Sequence, residues 1–451
     1  MSDIIAAIAT GRAPCAIGIL RLSGPGCAAL TGRVFTPKQP FADAPDRRLV
    51  LGLLHDRQGR VIDECLGVVC RAPHSYTGEE TVELQCHGSP AMLAAGLEAL
   101  LAAGARQAGP GEFTRRAFLN GKLDLTQAEA VVDLIDAETA DAAANAAGQL
   151  GGALKRAIEP VYDGLTDLCS HFHAVLDYPD EDIEDFGAAE LSGALDRAGT
   201  ALQELLATYE KGRHLRQGVR AVLLGKPNAG KSSLLNRLAG YDRVIVTDIA
   251  GTTRDTVEEP VCVGRVLLRL TDTAGIREAG DAIEALGVAR SEQAAREAEL
   301  ALFVCDASQP LTDEDRRAIE AAKCAPRSLA LCNKSDLPAA VSPDELPFDT
   351  VLTVSARTGA GLDALPALLE GWFLGENDCD GSLLTNPRQF GALDRASRAI
   401  ARAKTGLGLG VTPDAVLTDV EEAMAALGEV TGRTVREDIT NRIFERFCVG
   451  K

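Results

Sequence analysis

The run RAVLLGKPNAGKSSLL, residues 220–235, admits few folded forms. RAVLL is a short apolar stretch ending at a glycine, which reads as a buried strand. KSSLLNRL downstream reads as a helix. The G-x-x-x-x-G-K-[ST] pattern between them is a loop whose backbone N–H groups wrap a phosphate, helped by the positive end of the helix. A chain holding this run must build an α/β unit around it. Asn228, Ala229, Gly230, Lys231, Ser232 and Ser233 are expected to face the phosphates of a nucleotide. Lys231 would reach the β- and γ-phosphates, and Ser232 would ligate magnesium.

Over residues 219–374 the strand, turn and helix pattern repeats through RVLLRL, ELALFV, SLALC and TVLTV. Helical segments between the strands imply right-handed crossovers and a mainly parallel sheet. Further short motifs stand at the strand ends. DTAG offers Asp272 to magnesium through water, with Thr273, Ala274 and the Gly275 backbone beside the γ-phosphate. NKSD supplies Asn333, Lys334 and Asp336. A carboxylate accepts both N1–H and the exocyclic amine of guanine, a pair that adenine lacks, so Asp336 selects guanine. SAR, with Ser355, Ala356 and Arg357, supports the base. GTTRD, between the phosphate loop and DTAG, places Thr253 where a magnesium-binding switch threonine belongs; the plain alternative is a loop threonine. Ile276, after DTAG, neither donates nor accepts a hydrogen bond through its side chain. Where many GTPases use Gln there to orient water, another group must act.

At 451 residues the chain is expected to form two or three domains. Residues 1–120 alternate short apolar runs with turns, an α+β pattern, with AMLAAGLEALLAAGA as a helix. After Lys122 the period becomes helical. Thr126 with Glu129 predicts a capping box, and Ala128, Val131, Val132 and Ile135 follow on one face. One Ala-rich helical stretch is expected to about residue 176; DYPDEDIEDF breaks it, and another spans about 188–211. Helical periodicity returns after ENDCDGS. The fold class is therefore multidomain α+β and α/β: an N-terminal α+β domain, a helical domain from two flanking segments, and an inserted phosphate-loop domain. The expected boundaries are 1–120, 121–215, 216–376 and 377–451.

The formal charge of −19 argues against a broad nucleic-acid-binding surface. Residues 1–120 carry 12 Lys/Arg and 11 Asp/Glu, so any RNA contact is expected there or on a local patch. No run of apolar residues is long enough to span a membrane, and MSDIIAAIATGRAPCAIGIL lacks the basic start of a signal peptide. The twelve cysteines form no CxxC pair and no zinc spacing, which suits reduced thiols and a cytoplasmic protein.

GKPNAGKSSLLN, TDIAGTTRD, DTAGIRE, NKSD, SAR and the ending FCVGK together resemble the MnmE (TrmE) family of bacterial tRNA-modification GTPases, within the TrmE-Era-EngA-like potassium-activated group. AIGILRLSG, YTGEETVELQCHG, GEFTRRAFLNGKLDLTQAEAV and DYPDEDIEDF extend the resemblance over nearly the whole chain. It implies a homodimer whose G domains meet across the nucleotide, with potassium in place of an arginine finger. Asn228, the backbones of Thr247 and Ile249, and Thr252 match the family's potassium-binding positions, within the loop Thr247, Asp248, Ile249, Ala250, Gly251, Thr252 and Thr253. Glu284 matches the catalytic glutamate that helps orient water, beside Lys231 and Thr252 as the other catalytic candidates. Arg254 and Arg277 would hold the switches. Arg21, Glu83, Lys122 and Lys451 match positions that contact 5-formyltetrahydrofolate or another one-carbon tetrahydrofolate. The resemblance also implies a flavoprotein partner, MnmG, in a heterotetramer or larger, and tRNA as the target. The joint product would be an aminomethyl or carboxymethylaminomethyl group at C5 of the wobble uridine.

Cys448 reads either as a catalytic thiol or as a small structural residue, and nothing local activates it. GLGLG, residues 406–410, does not fit G-x-G-x-x-G, so redox chemistry is expected on another subunit. A ribosome-assembly GTPase is the alternative; such proteins usually carry a KH module or a second G domain, and neither pattern occurs here. A metabolic kinase would not need the NKSD, SAR and GTTRD set.

Overall fold

The computed structural model describes residues 3–11, 13–37, 40–177, 188–241, 258–272, 284–375, 380–434, 443–445 and 447–450. The chain divides into two compact units, one of Met1–Val132, Gln149–Ala198 and Arg395–Lys451, the other of Asp133–Gly148 and Gly199–Asp394.

In the first unit the apolar runs become β1 (Ile5–Ile8), β2 (Cys15–Ser23), β3 (Phe35–Pro37), β4 (Val50–His55), β5 (Val61–Cys70), β6 (Thr81–Gly88) and β7 (Arg106–Gln107). They form one sheet in the order β3-β4-β5-β6-β2-β1-β7. Helices α1 (Cys27–Thr31), α2 (Pro90–Ala102) and α3 (Glu112–Leu119) interleave with the strands. Glycines let α2 approach the sheet: a Cβ on Gly18 would lie 2.5 Å from Leu93 and one on Gly96 2.7 Å from Leu20. That face buries Leu20, Leu22, Leu54, Val82, Leu84 and Leu93. Alternation sends Leu51 and Leu53 of β4 to the other face, where they stay exposed.

Helices follow as α4 (Leu125–Ile135), α5 (Ala140–Leu150), α6 (Ala153–Asp177), α7 (Ala188–Ala207) and α8 (Tyr209–Gln217), and, after the α/β elements, as α13 (Pro387–Gly408) and α14 (Pro413–Thr431). The flanks do pack together. Cys169 of α6 lies 3.4 Å from the Met424 sulfur of α14, and Arg433 bonds Glu159 at 3.0 Å while covering the Tyr162 ring. The α/β segment is thus inserted into a helical domain.

Two expectations need correction. The capping box of α4 is Asp124 with Gln127, not Thr126 with Glu129. Gln127 N donates to Asp124 Oδ1 at 2.9 Å and Asp124 N to Gln127 Oε1 at 3.0 Å. Asp is the stronger cap, and Thr126 is buried, its hydroxyl donating to the same carboxylate. The Ala-rich stretch is also three helices rather than one. Thr139 caps α5 through Ala142 N at 3.1 Å, and Gly152, at φ 83, closes the turn before α6.

The second unit holds β8 (Val219–Leu224), α9 (Lys231–Tyr241), β9 (Glu258–Val263), β10 (Val266–Asp272), α10 (Glu284–Glu297), β11 (Leu300–Asp306), α11 (Asp313–Ala322), β12 (Arg327–Asn333), β13 (Val351–Thr353) and α12 (Ala364–Phe373). The sheet order is β13-β12-β11-β8-β10-β9, parallel except for β9. Both faces are covered, so the strands read as continuous apolar runs. Leu223, Leu302 and Leu331 pack on one side, Leu224, Phe303 and Ala330 on the other. Strand β9 escaped the sequence reading because EEPVCV opens on two charges and a proline; as an edge strand it tolerates Pro260.

At the entry to β8 the Glu299 carboxylate accepts from Arg213, from His214 at 3.1 Å and from Arg220 N at 3.2 Å. Burial works to raise its pKa, but these donors together hold it far below the ordinary carboxylate value. A depressed pKa stabilises the fold above the unfolded value, about 4.3, and that gain is lost as pH falls. Glu299→Gln is expected to cost about 1–3 kcal/mol at neutral pH and less near pH 4, read from urea unfolding at both pH values.

Candidate nucleotide site and a second charged site

The phosphate loop takes the path its sequence demands. Gly225 has φ 143, Asn228 φ 64 and Gly230 φ 96, positive values that glycine adopts most readily. No side chain fits at Gly225, where a Cβ would lie 2.1 Å from Val304 O, or at Gly230, where it would lie 2.2 Å from Asn333 Nδ2. Lys231 Nζ donates to Gly225 O at 2.8 Å and Lys226 O at 2.9 Å, which holds the amine over the loop. Ser232 and Ser233 begin α9 with exposed side chains, and Asn228 is exposed too; Ala229 is buried beneath them.

The NKSD and SAR residues gather at the ends of β12 and β13. Asn333, 2% exposed, is a hub. Its Nδ2 donates to Ala229 O at 2.8 Å and its Oδ1 accepts from Ala356 N at 2.9 Å, so one side chain links the phosphate loop to SAR. Asp336 is exposed, with Oδ1 accepting from Ser355 Oγ at 2.6 Å. That hydroxyl holds the Asp336 carboxyl below its usual range, outweighing the upward push of burial. Lys334, at φ 67, places Nζ 2.7 Å from Asp306 Oδ2. Burial pushes Asp306 upward, yet Lys334 and Ser308 keep its pKa low.

Arg237 of α9 carried no motif signal. It donates to Ala356 O at 3.2 Å and to Arg357 O at 2.7 Å, clamping the SAR loop. Asp272 closes β10 and Glu284 opens α10, but their side chains lie outside the described residues. Thr247, Asp248, Ile249, Ala250, Gly251, Thr252, Thr253, Thr273, Ala274 and Gly275 lie outside them too, as do Arg254, Ile276, Arg277 and Lys451. Among the described residues no group of His, Cys, Asp and Glu could hold a metal ion, and no helix is long and apolar enough to cross a membrane.

The first unit holds a second charged site. The β2–β6 register sets Arg21 opposite Glu83, and their side chains pair at 2.8 Å. Arg21 also donates to Gly450 O at 3.3 Å and lies over the Tyr76 and Phe113 rings. The tail is therefore part of this site, with Val449 bridging Pro110. Lys122 lays its stem over Gly78 and lines a cleft of about 470 Å³ with Lys155 and Tyr162. Arg21 and Glu83 are thus brought together; Lys122 sits on the neighbouring turn. Cys448 is exposed.

The family described as "GTP-binding protein TrmE N-terminus" matches residues 4–122, and "MnmE helical domain" matches residues 125–448. Relatives called tRNA modification GTPase MnmE align along the chain's full length. The Roseiflexus sp. (strain RS-1) protein is 45% identical over 465 residues, covering 100% of this chain and 99% of its own. The protein of Symbiobacterium thermophilum is 44% identical over 455 residues, with 100% and 99% covered. That of Aquifex aeolicus (strain VF5) is 41% identical over 452 residues, with 100% of both chains covered. On this evidence the chain belongs to the MnmE (TrmE) family of tRNA modification GTPases.

Proposed function

We propose that the protein hydrolyses GTP with magnesium and potassium and that, with a flavoprotein partner of the MnmG type, it couples hydrolysis to modification of C5 of the tRNA wobble uridine. The product is an aminomethyl or carboxymethylaminomethyl group. The observation that carries the reading is the Asn333 bridge, which locks a phosphate loop and a guanine-reading loop into one rigid site. Lys231 reaches the β- and γ-phosphates from its seat on the loop carbonyls. Asp336, ionised and oriented by Ser355, accepts from the guanine edge.

The exposed Ser232 hydroxyl, a hard oxygen donor at a helix start, suits magnesium, and the exposed Asn228 amide suits a monovalent cation. Thr253 and a water on Asp272 complete the magnesium set in this reading, and Thr247, Ile249 and Thr252 the potassium set. The two ions supply positive charge against the phosphate oxygens.

In the first unit, Arg21, Glu83, Lys122 and Lys451 take a one-carbon tetrahydrofolate. Support comes from a cation framed by the Tyr76 and Phe113 rings, with Glu83 at hand for donors. The exposed Leu51 and Leu53 on β4 favour a homodimer through the N-terminal domain. The domains run 1–120, 121–215, 216–376 and 377–451, and the protein works in the cytoplasm.

Glu284, opening α10, orients the attacking water. Glu284→Ala is expected to lower kcat for GTP hydrolysis about a hundredfold with the nucleotide Kd nearly unchanged, because the interaction forms only in the transition state. Unaltered turnover would remove the role. Flavoprotein-dependent wobble modification in a reconstituted tRNA assay tests the wider reading; hydrolysis without any modification would overturn it.

A further inference from the structure

We propose that Lys226, through its ion pair with Asp315, is a positioning residue that fixes the first peptide of the phosphate loop for nucleotide binding. The inference deepens the GTPase reading and rests on it. A lysine inside a phosphate loop could add charge for the phosphates. Lys226 instead turns into the protein, Nζ 2.9 Å from Asp315 Oδ2, with the two side chains 12% and 0% exposed. Its backbone carbonyl meanwhile accepts from Lys231 Nζ at 2.9 Å and Ala229 N at 3.3 Å. One residue is thus held at both ends, by its side chain below the loop and by its carbonyl within it.

Capping of α11 does not explain the pair. Asp315 Oδ2 already accepts from Thr312 N at 2.9 Å, and Asp315 N donates to Thr312 Oγ1 at 3.4 Å, a complete capping box. Oδ1 has no hydrogen-bond partner among the described residues. Net stability does not explain it either, since a buried ion pair gains little over an apolar pair of similar volume. What the pair supplies is direction. It tethers the start of the loop, while Asn333 tethers Ala229 near its end. A loop bracketed in this way is ordered before the phosphates arrive, so binding loses less conformational entropy.

The test is binding of a fluorescent GDP analogue to the full chain with magnesium, alongside urea unfolding. Lys226→Met is expected to weaken binding roughly tenfold to thirtyfold, and Lys226→Arg to restore most of the affinity. The double variant Lys226→Met with Asp315→Asn removes both buried charges and keeps an acceptor for Thr312, which guards against misfolding of the single variant. It is expected to stay as weak as Lys226→Met. A folded double variant that binds like the wild type would overturn the positioning role, as would affinities that merely track the unfolding midpoints. A wild-type chain that binds no guanine nucleotide would instead overturn the GTPase reading.

Discussion

Exchanging potassium for sodium at constant ionic strength is expected to slow GTP hydrolysis about a hundredfold. The Ile276 side chain has no polar atom with which to orient water. Charge accumulates on the phosphate oxygens as the γ-phosphoryl group leaves, and something positive must stand against it. In the proposed arrangement Asn228 and the loop around Thr247, Ile249 and Thr252 enclose a monovalent ion at that place. A cage sized for potassium holds sodium too loosely for its oxygens to close on it. The ion acts on charge that develops only in the transition state, so nucleotide affinity is expected to change little while kcat falls. Turnover per protein should also fall when dilution separates the homodimer, since two G domains must meet to close the cage. Equal rates in the two salts would remove the ion from the reaction.

Asp336→Asn is expected to weaken GTP binding tenfold to a hundredfold, about 1.5–3 kcal/mol for two hydrogen bonds to a charged acceptor. The Ser355 hydroxyl holds the carboxylate in place at 2.6 Å, so the wild-type site meets guanine without reorganising. An amide in its place offers one acceptor and one donor. Xanthine presents a carbonyl where guanine presents an amine, so the same substitution should strengthen binding of xanthosine triphosphate. Competition between the two nucleotides measures both changes. A variant that keeps its guanine preference would place base recognition elsewhere.

The loop geometry of the candidate nucleotide site was legible because phosphate binding constrains the backbone. Glycines at 225 and 230 and a lysine opening a helix allow one local geometry, and the base-reading motifs follow apolar runs that could only be strands. What stayed hidden depends on contacts between distant residues. Arg237 and Lys226 look like ordinary surface cations until folding sets them beside Ala356 and Asp315. The Arg21–Glu83 pair needs the β2–β6 register, and its Gly450 contact needs the tail, 429 positions away in sequence. The helix breaks near 136–139 and 151–152 were masked by alanine, whose high helix propensity blurs a boundary unless a cap or glycine is weighed more heavily. The position of the α4 cap turned on the competition between neighbouring Asp124 and Thr126, which spacing alone does not decide.

The pairing of α6 with α14 has a consequence for biogenesis. Asp177 and Pro413 stand 236 positions apart, so a ribosome adding about 5–20 residues per second finishes the first helix well before its mate emerges. Meanwhile the whole α/β insertion is synthesised. The earlier helix then waits with an apolar flank uncovered, and this interval, rather than the finished protein, is where a holdase chaperone would matter most.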